Sequence, residues 1–298
     1  MWTLSGTVTE TLTGAPVAGA ALDFWQLETV TTDGTGQWTL RRPGTAPPTA
    51  IYTEIKASGY IDRRVYVTAN GPTRSGIAID VIRDAAPFAL GFFRQIIRND
   101  FDAPGQLQHM RRWTTTPNFY INTLNPRTGR DILPRQLDLI VSTIRHAVPQ
   151  ATAGRFEAGA IEVGSGDRPD QQNFIKVEIT YEPGESYCGR AQVAANPGRI
   201  WFNFERCVNA CRGEEIGPNV VAHEVGHAMG LWHHDQTGIM DRFVSQATCN
   251  DRDFTAAERH HAGLLYSRQP GNADLDWDRT TTLTVTGSGP APVVTCFR

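Results

Sequence analysis

The run from His223 to His233, HEVGHAMGLWH, constrains the fold of this chain more than any other stretch. His223 and His227 are four residues apart, so on an α-helix they lie on one face, about 6 Å apart along the axis. The loop residues 217–219 precede the stretch, and the run Val220–Trp232 contains no proline, which predicts a helix here. Two imidazoles on one helix face can bind one metal ion. The sequence therefore predicts a metal-binding helix.

His233 reaches the same ion only if the chain turns back after the helix. A continuous helix would carry His233 about 15 Å beyond His223, whereas a zinc–nitrogen bond is about 2.0–2.1 Å long. Gly230 stands where the turn is needed, and glycine enters the left-handed conformation that ends a helix without a Cβ clash. We expect two helical ligands, a break at Gly230 and a third ligand from the returning chain.

Three neutral imidazoles are a ligand set typical of a catalytic zinc site, because they leave a fourth position of the ion open to water. Zinc lowers the pKa of that water toward about 7. Glu224 directly follows the first ligand and is the expected general base, which takes a proton from the water and passes it to the leaving amine. We therefore predict one catalytic Zn²⁺ bound by His223, His227 and His233, with Glu224 as the catalytic residue.

These residues resemble the signature of the metzincin zinc metallopeptidases, H-E-x-x-H-x-x-G-x-x-H followed by a Met-turn. Five residues match the signature: His223, Glu224, His227, Gly230 and His233. Met240 is the expected Met-turn residue, which in that family lies beneath the metal and does not bind it. The resemblance implies a secreted zinc endopeptidase that hydrolyses peptide bonds.

Two positions bear on the subfamily. The residue after the third histidine is His234, which selects no subfamily. In astacin-like and serralysin-like members, a tyrosine two residues after the Met-turn methionine contacts the metal, whereas this chain has Arg242 there. We therefore expect no tyrosine ligand. The short interval from His233 to Met240 is most similar to the compact matrixin-like or pappalysin-like members.

Residues 1–84 contain short strand-like runs separated by turn residues, which predicts a small β-sandwich. The expected strands are Trp2–Glu10, Ala20–Leu27, Gln37–Arg41, Ile51–Ala57, Arg64–Thr68 and Gly76–Ile82. The stretches Leu4–Thr9, Thr13–Ala20 and Thr31–Leu40 resemble a carboxypeptidase regulatory-like (transthyretin-like) domain. The turn Asp33–Gly36 lacks the later glutamate of an EF-hand loop, so a structural Ca²⁺ is not indicated.

Residues 85–272 show the order of strand, helix, strands, hairpin and metal-binding helix that the metzincin resemblance implies. The expected elements are the strands Pro117–Leu124, Phe156–Val163 and Asn173–Tyr181, the hairpin Arg190–Ala195 with Ile200–Glu205, and the helices Leu133–Ala147, Val220–Trp232 and Phe254–Arg268. In that family the last strand before the active-site helix is an edge strand that pairs with extended substrate. Its expected counterpart lies within Gly189–Ala194, with Ile200–Asn203 as the alternative.

The expected fold class is therefore a two-domain protein, an N-terminal all-β sandwich followed by an α+β metzincin-like catalytic domain. The catalytic domain would contain a twisted mixed sheet, the active-site helix and the Met-turn. Residues 273–298 remain as a C-terminal tail, in which Thr280–Thr286 would add a strand. We expect the acidic cluster Asp274–Asp278 in this tail to be a solvated linker.

The five cysteines all lie in the second half of the chain: Cys188, Cys207, Cys211, Cys249 and Cys296. Pairing the hairpin about a tight turn at 196–199 places position 188 opposite 207, which favours a Cys188–Cys207 disulfide and leaves Cys211 to pair with Cys249. A Cys207–Cys211 bridge is the alternative, and Cys296 is then the odd cysteine. Disulfides indicate an oxidising compartment.

Bulk properties exclude several classes of protein. The net charge of −3 argues against nucleic-acid or membrane-surface binding through bulk charge. No apolar run approaches the roughly 20 residues of a transmembrane helix. The first residues lack the basic region and apolar core of a signal peptide, so we expect an extracellular chain from which the signal peptide has been removed. The expected partner is a protein or peptide substrate, and the oligomeric state is not defined by the sequence.

Two alternative functions share these features. A metal-dependent amidase that acts on cell-wall peptides would use the same ligands and the same base. A binding protein would instead hold protein or glycan on the β-sandwich, with the metal domain as a stabilising element.

Overall fold

A computed structural model of the chain describes residues 1–69, 71–207, 216–243, 248–279 and 294–297, with backbone alone for 206–207 and 294–297. The helices are α1 (Leu90–Arg98), α2 (Pro134–Ala151), α3 (Phe204–Cys207), α4 (Pro218–Met229) and α5 (Ala256–Ser267). The strands are β1 (Trp2–Glu10), β2 (Ala21–Phe24), β3 (Glu28–Thr31), β4 (Gln37–Arg42), β5 (Ala50–Lys56), β6 (Arg63–Thr68), β7 (Thr73–Val81), β8 (Asn118–Asn122), β9 (Leu124–Asn125), β10 (Arg130–Asp131), β11 (Ile161–Gly164), β12 (Phe174–Thr180), β13 (Gly189–Gln192), β14 (Gly198–Asn203) and β15 (Val294–Phe297). Among the described residues, no helix is long and apolar enough to cross a membrane.

These elements form a mixed α/β protein of two compact units. The first unit comprises Met1–Leu90 together with the described chain from Ser267 to 279, and the second comprises Gly91–Tyr266 together with β15. The sequence analysis placed its boundaries after residues 84 and 272. Residues 267–272 therefore fold with the first unit, although the sequence analysis grouped them with the second.

The first unit contains two sheets that share one apolar core. One sheet has the order β4-β1-β7 and the other the order β3-β2-β5-β6. Along each strand the buried and exposed residues alternate, because successive side chains point to opposite faces. Apolar side chains of both sheets meet in the core, where the Phe24 and Trp38 rings lie 5.3 Å apart. This two-layer arrangement is that of a β-sandwich, in which the sequence analysis did not recognise β3 as a separate strand.

A buried network of charges attaches the segment after α5 to the sandwich. Arg268 donates to Asp276 through Nε at 2.7 Å and to Asp80 through Nη1 at 2.5 Å. Arg63 donates to Asp278 at 2.9 Å. The expectation of a solvated acidic linker at 274–278 is thus wrong for Asp276 and Asp278, which are buried because arginine side chains of this unit pair with them.

The second unit is built on a six-stranded sheet with the order β11-β8-β12-β14-β13-β15. Strands β11, β8, β12 and β14 run parallel, whereas β13 is antiparallel to both of its neighbours. Helix α4 packs against β13 and β14, and α2 packs against α4. The sequence analysis expected β13 or β14 to be an edge strand, and this is wrong, because β15 covers β13 on its outer side.

The register of the β13–β14 hairpin also differs from the expected one. Gly189 faces Phe202, and the Asn203 N–H donates to the Cys188 carbonyl at 2.8 Å. The hairpin is centred between residues 195 and 196, two residues before the centre of the expected turn, so position 188 lies opposite 203 and not opposite 207. Cys188 is a buried thiol, and its predicted bridge to Cys207 is therefore wrong.

The other cysteines are only partly described. Cys249 is buried and disulfide-bonded, and its partner lies outside the side chains that the structure describes. The Cys211–Cys249 and Cys207–Cys211 pairings stay predictions, because Cys211 and the side chains of Cys207 and Cys296 are outside that part of the chain.

The three predicted helices of the second unit lie close to their expected positions. No element was expected at helix α1, and Phe204 and Glu205, which begin helix α3, were expected to belong to a strand. Helix α2 continues to Ala151 and includes Pro149, which we expected to lie beyond its end. The predicted strand at Thr280–Thr286 lies outside the described residues.

Candidate metal centre

Local signals fix both ends of α4. Pro218 occupies the first turn, where a missing N–H has no cost, because the first N–H groups of a helix have no partner within the helix. Gly230 follows the last helical residue with φ 113° and ψ 6°, the left-handed conformation in which glycine carries no Cβ clash. Its N–H donates to the His227 carbonyl at 2.9 Å, and the Leu231 N–H donates to the Gly226 carbonyl at 3.0 Å. The chain therefore reverses directly after the second histidine.

Side chains from outside the helix bind its last carbonyl groups. Trp113 Nε1 donates to the Ala228 carbonyl and the Tyr266 hydroxyl donates to the Met229 carbonyl, both at 2.9 Å. These carbonyls have no partner within the helix and would otherwise be buried without one. The two hydrogen bonds connect the end of α4 to Trp113 and to helix α5.

The reversal brings the three histidines together. His233 Nε2 lies 3.2 Å from His223 Nε2 and 3.2 Å from His227 Nε2. Nitrogen ligands at about 2.0–2.1 Å from a tetrahedral zinc ion are separated by about 3.3–3.4 Å, so this spacing fits one ion. All three side chains are buried. The group could thus bind a metal ion, as the sequence spacing predicts.

The second nitrogen of each ring fixes the orientation of that ring. His223 Nδ1 donates to the Ile239 carbonyl at 2.6 Å, and His227 Nδ1 donates to the Leu231 carbonyl at 2.7 Å. His233 Nδ1 lies 2.6 Å from Asp102 Oδ2. A carbonyl only accepts, so Nδ1 carries the proton in the first two rings and a neutral ring presents the Nε2 lone pair.

Electrostatics favours the same protonation state. Burial lowers the pKa of His223 and of His227 well below the ordinary value for histidine, and the neighbouring imidazoles lower it further. Neutral imidazole is the form that binds a metal. The site therefore holds two of its ligands ready for binding at neutral pH.

Glu224 lies on the same helix and is completely buried. Neither carboxylate oxygen has a hydrogen-bond partner among the described residues. Burial raises the pKa of Glu224 well above the ordinary value, with a smaller contribution from Cys188. A buried carboxylate without a partner is costly. Glu224 directly follows the first candidate ligand on helix α4, and a bound cation nearby would offset this cost.

Two glycines make room for this arrangement. A Cβ on Gly189 would lie 2.5 Å from Glu224 Oε1, so β13 approaches the carboxylate as closely as a backbone can. A Cβ on Gly226 would overlap Met240 Sδ. Met240 is buried and packs against the helix at this point, and its role as a Met-turn residue stays a prediction. Gly226 is a weak helix former, and its missing side chain provides the space for that sulfur.

Glu258 holds the turn that carries Met240. Its Oε1 accepts from the Met240 N–H at 2.7 Å and lies 2.9 Å from His234 Nε2. His234 Nδ1 accepts from the Gln236 N–H at 3.2 Å, so the ring proton is on Nε2 and is donated to Glu258. Burial raises the pKa of Glu258, but hydrogen bonds from His234, Met240 and Thr255 outweigh it and lower the pKa overall. His234 therefore supports the Met240 turn and is not a member of the metal-binding group.

Asp102 and Arg242 complete the surroundings of the third ligand. Asp102 accepts from His233 Nδ1 through one oxygen, and its other oxygen lies 3.4 Å from Arg242 Nη1. Arg242 stands where a tyrosine would contact the metal in astacin-like members. Its guanidinium contacts the Asp102 carboxylate, which orients His233. The sequence analysis missed both Asp102 and Glu258, since each lies far along the chain from its histidine with no recognisable spacing.

Comparisons with known proteins give only weak similarity. No protein-family model matches the chain, and no curated protein matches it. A metalloproteinase-II from Bacteroides fragilis aligns over 88% of this chain and 84% of its own, with 11% identity and a TM-score of 0.34.

Two further solved structures align with shorter parts of the chain. A 3-chlorocatechol 1,2-dioxygenase from Rhodococcus opacus 1CP covers 27% of this chain and 59% of its own, with 15% identity and a TM-score of 0.22. A cohesin–X-dockerin complex from Acetivibrio cellulolyticus covers 28% of this chain and 58% of its own, with 19% identity and a TM-score of 0.23. TM-scores this low do not establish a shared fold, so the site geometry carries the functional assignment.

Proposed function

We propose that this protein is a secreted zinc-dependent endopeptidase of the metzincin type. One observation carries the proposal: three histidine Nε2 atoms converge within metal-binding distance, and the helix that bears two of them also bears a buried glutamate whose carboxylate has no hydrogen-bond partner among the described residues. Imidazoles without a negatively charged ligand favour zinc among the common metals and leave a coordination position for the reacting groups. The weak similarity to a bacterial metalloproteinase agrees with this choice but is too slight to support it.

The residues of the site divide the chemistry between them. His223, His227 and His233 would hold the ion, which when bound polarises the scissile carbonyl and activates water. Glu224 would accept a proton at its carboxylate and return it to the leaving amine. An ionised Glu224 is required for this, and a cation beside a carboxylate lowers its pKa, which opposes the effect of burial.

Two observations bear on the reacting surface. Gly189 lets the backbone of β13 come into contact with Glu224, so a peptide that lay along this strand would pass the base. Extended peptides add to strands through backbone hydrogen bonds, which gives affinity with little sequence preference. The disulfide at Cys249 favours an oxidising compartment, which supports the secreted location in the proposal.

The decisive experiment compares the native chain with Glu224→Ala. The native chain should cleave an unstructured protein substrate, lose activity to a chelator and regain it with Zn²⁺. The variant should bind one zinc ion per chain yet lose roughly 10²–10⁴-fold in kcat, the usual contribution of a general base. His146→Ala is a matched control, because His146 contacts Asp253 and Gln150 and does not belong to the histidine group.

Two results would contradict the proposal. Full activity in Glu224→Ala would exclude the glutamate as base. Cleavage of cell-wall peptides with no cleavage of any protein would replace the endopeptidase with an amidase that uses the same residues.

A further inference from the structure

Strand β13 packs against the metal-binding helix. At its start, Gly189 touches the Glu224 carboxylate. Just beyond its end, the Ala194 N–H donates to the His227 carbonyl at 3.1 Å. The two contacts place this strand beside both the candidate base and the second candidate ligand. A polypeptide that paired with the outer side of β13 would therefore lie beside the site.

The chain itself occupies that outer side. β15 pairs with β13 in antiparallel register, with position 297 opposite Gly189 and position 294 opposite Gln192. Directly opposed residues in an antiparallel pair have Cα atoms about 4.5–5.5 Å apart. Because Gly189 is in contact with Glu224, position 297 is one strand spacing from the residue that touches the base. β15 also packs against α4.

From this pairing we infer that the C-terminal segment Val294–Phe297 competes with peptide substrate for the outer side of β13. This inference rests on the proposed function, because it assigns a regulator to the same site. Substrate and β15 use the same backbone donors and acceptors of β13, so only one of them pairs with the strand at a time. Pairing of substrate with β13 then requires β15 to leave.

β15 is short enough for a peptide to displace it from β13. It contributes four residues, against nine in β1 or seven in β12, and so forms few ladder hydrogen bonds. Its covalent connection to the same chain raises its effective concentration at β13 above that of a free peptide. A short strand with this advantage reduces the apparent affinity for substrate without blocking the site permanently.

The test removes the ladder donors of β15 within the full chain. Consecutive residues of an antiparallel strand alternate in whether their N–H faces the partner, and proline has no N–H. The double variant Thr295→Pro with Cys296→Pro therefore removes whichever of these donors faces β13. Thr295→Val with Cys296→Val is the matched control, because it also removes the thiol but retains both N–H groups and favours a strand.

The primary measurement is binding of a fluorescent peptide with the sequence of residues 291–298, followed by fluorescence anisotropy. We expect the proline variant to bind this peptide at least about tenfold more tightly than the native chain or the valine control, since the tethered competitor is lost. On a peptide substrate, KM should fall by a similar factor while kcat stays the same. The free peptide should inhibit the proline variant competitively.

Equal peptide binding and equal KM in the native and proline chains would overturn the inference. A chain that ends at residue 287 is the second variant, and if both altered chains unfold, β15 is a permanent strand and the inference fails. Peptide binding does not require turnover. If the proline variant gains peptide binding but no chain cleaves any substrate, the proposed function fails while the competition at β13 stands.

Discussion

The hydrogen bond between His233 and Asp102 offers the most quantitative test of the metal centre. The other two candidate ligands are oriented by backbone carbonyls, which no substitution removes, whereas His233 Nδ1 is oriented by a side chain at 2.6 Å. Asp102→Ala leaves this nitrogen without its partner. Asp102→Asn keeps an oxygen of the same size in place but removes the charge.

The structure sets the expected magnitudes. Partners that orient a ligand histidine contribute about 10–100-fold to metal affinity, so Asp102→Ala should weaken zinc binding by about 1.4–2.7 kcal/mol. A hydrogen bond to a charged group contributes about 1.5–3 kcal/mol, against about 0.5–1.5 kcal/mol for a neutral one. Asp102→Asn should therefore cost about 1 kcal/mol, or roughly fivefold in affinity.

Competition for Zn²⁺ with a coloured chelator at neutral pH measures these constants. Asp100→Asn is the control, because Asp100 lies in the same loop and binds the Gly105 N–H at 2.9 Å. Its affinity for zinc should match that of the native chain. If Asp102→Ala binds zinc within twofold of the native chain while remaining folded, the carboxylate does not orient the ligand and this reasoning is wrong.

Three other predictions address the packing and titration of the site. Gly189→Ala should reduce kcat by about 100-fold with zinc still bound, because its Cβ displaces Glu224, and an unchanged kcat would refute the close approach. Gly226→Ala should lower the free energy of unfolding, measured in urea, by about 1–3 kcal/mol, because the added Cβ overlaps Met240. This overlap should outweigh the higher helix propensity of alanine, and a more stable variant would contradict the prediction. Burial lowers the pKa of the two histidines of α4 below the value of about 6.5 that histidine has in the unfolded chain. The contribution of these histidines to the free energy of unfolding of the metal-free protein is therefore fully present above about pH 6.5 and is lost as the pH falls below it. The loss should be about 1.4 kcal/mol per pH unit for each histidine. It is measured in the Glu224→Gln variant, because Glu224 has a raised pKa and its titration changes the stability in the opposite direction. A free energy of unfolding that stays constant from about pH 6.5 to 5 would contradict the prediction.

The sequence predicted those parts of the site that depend on local geometry. The four-residue spacing of His223 and His227 and the helix end at Gly230 follow from helix periodicity and glycine conformation, and both are properties of neighbouring residues. The convergence of His233 on the same point follows from that reversal. The catalytic role of Glu224 stays a prediction until activity is measured.

Long-range features could not be predicted in the same way. Asp102 lies 131 residues before His233 in the chain, and no local pattern marks it as a partner. The hairpin register depended on the position of the turn, and a centre two residues earlier than expected moved Cys188 from opposite Cys207 to opposite Asn203. Periodicity reveals which residues form a strand but not which strand covers another, so the pairing of β13 with β15 was also missed.

The buried pairs of Arg268 with Asp276 and of Arg63 with Asp278 have a consequence for how the chain is made and divided. The segment that completes the first unit is synthesised only after the whole of Gly91–Tyr266. On the ribosome, the sandwich strands emerge early, yet Arg63 meets Asp278 only about 200 residues later. A recombinant fragment cut after residue 84 would keep the Arg63–Asp80 ion pair but would lose the contacts of Arg63 with Asp278 and of Asp80 with Arg268. The complementary fragment would keep the Arg268–Asp276 pair and would leave Asp278 without Arg63. The second unit is in this sense an insertion, and the first unit completes its buried charge network only after Gly91–Tyr266 has been synthesised.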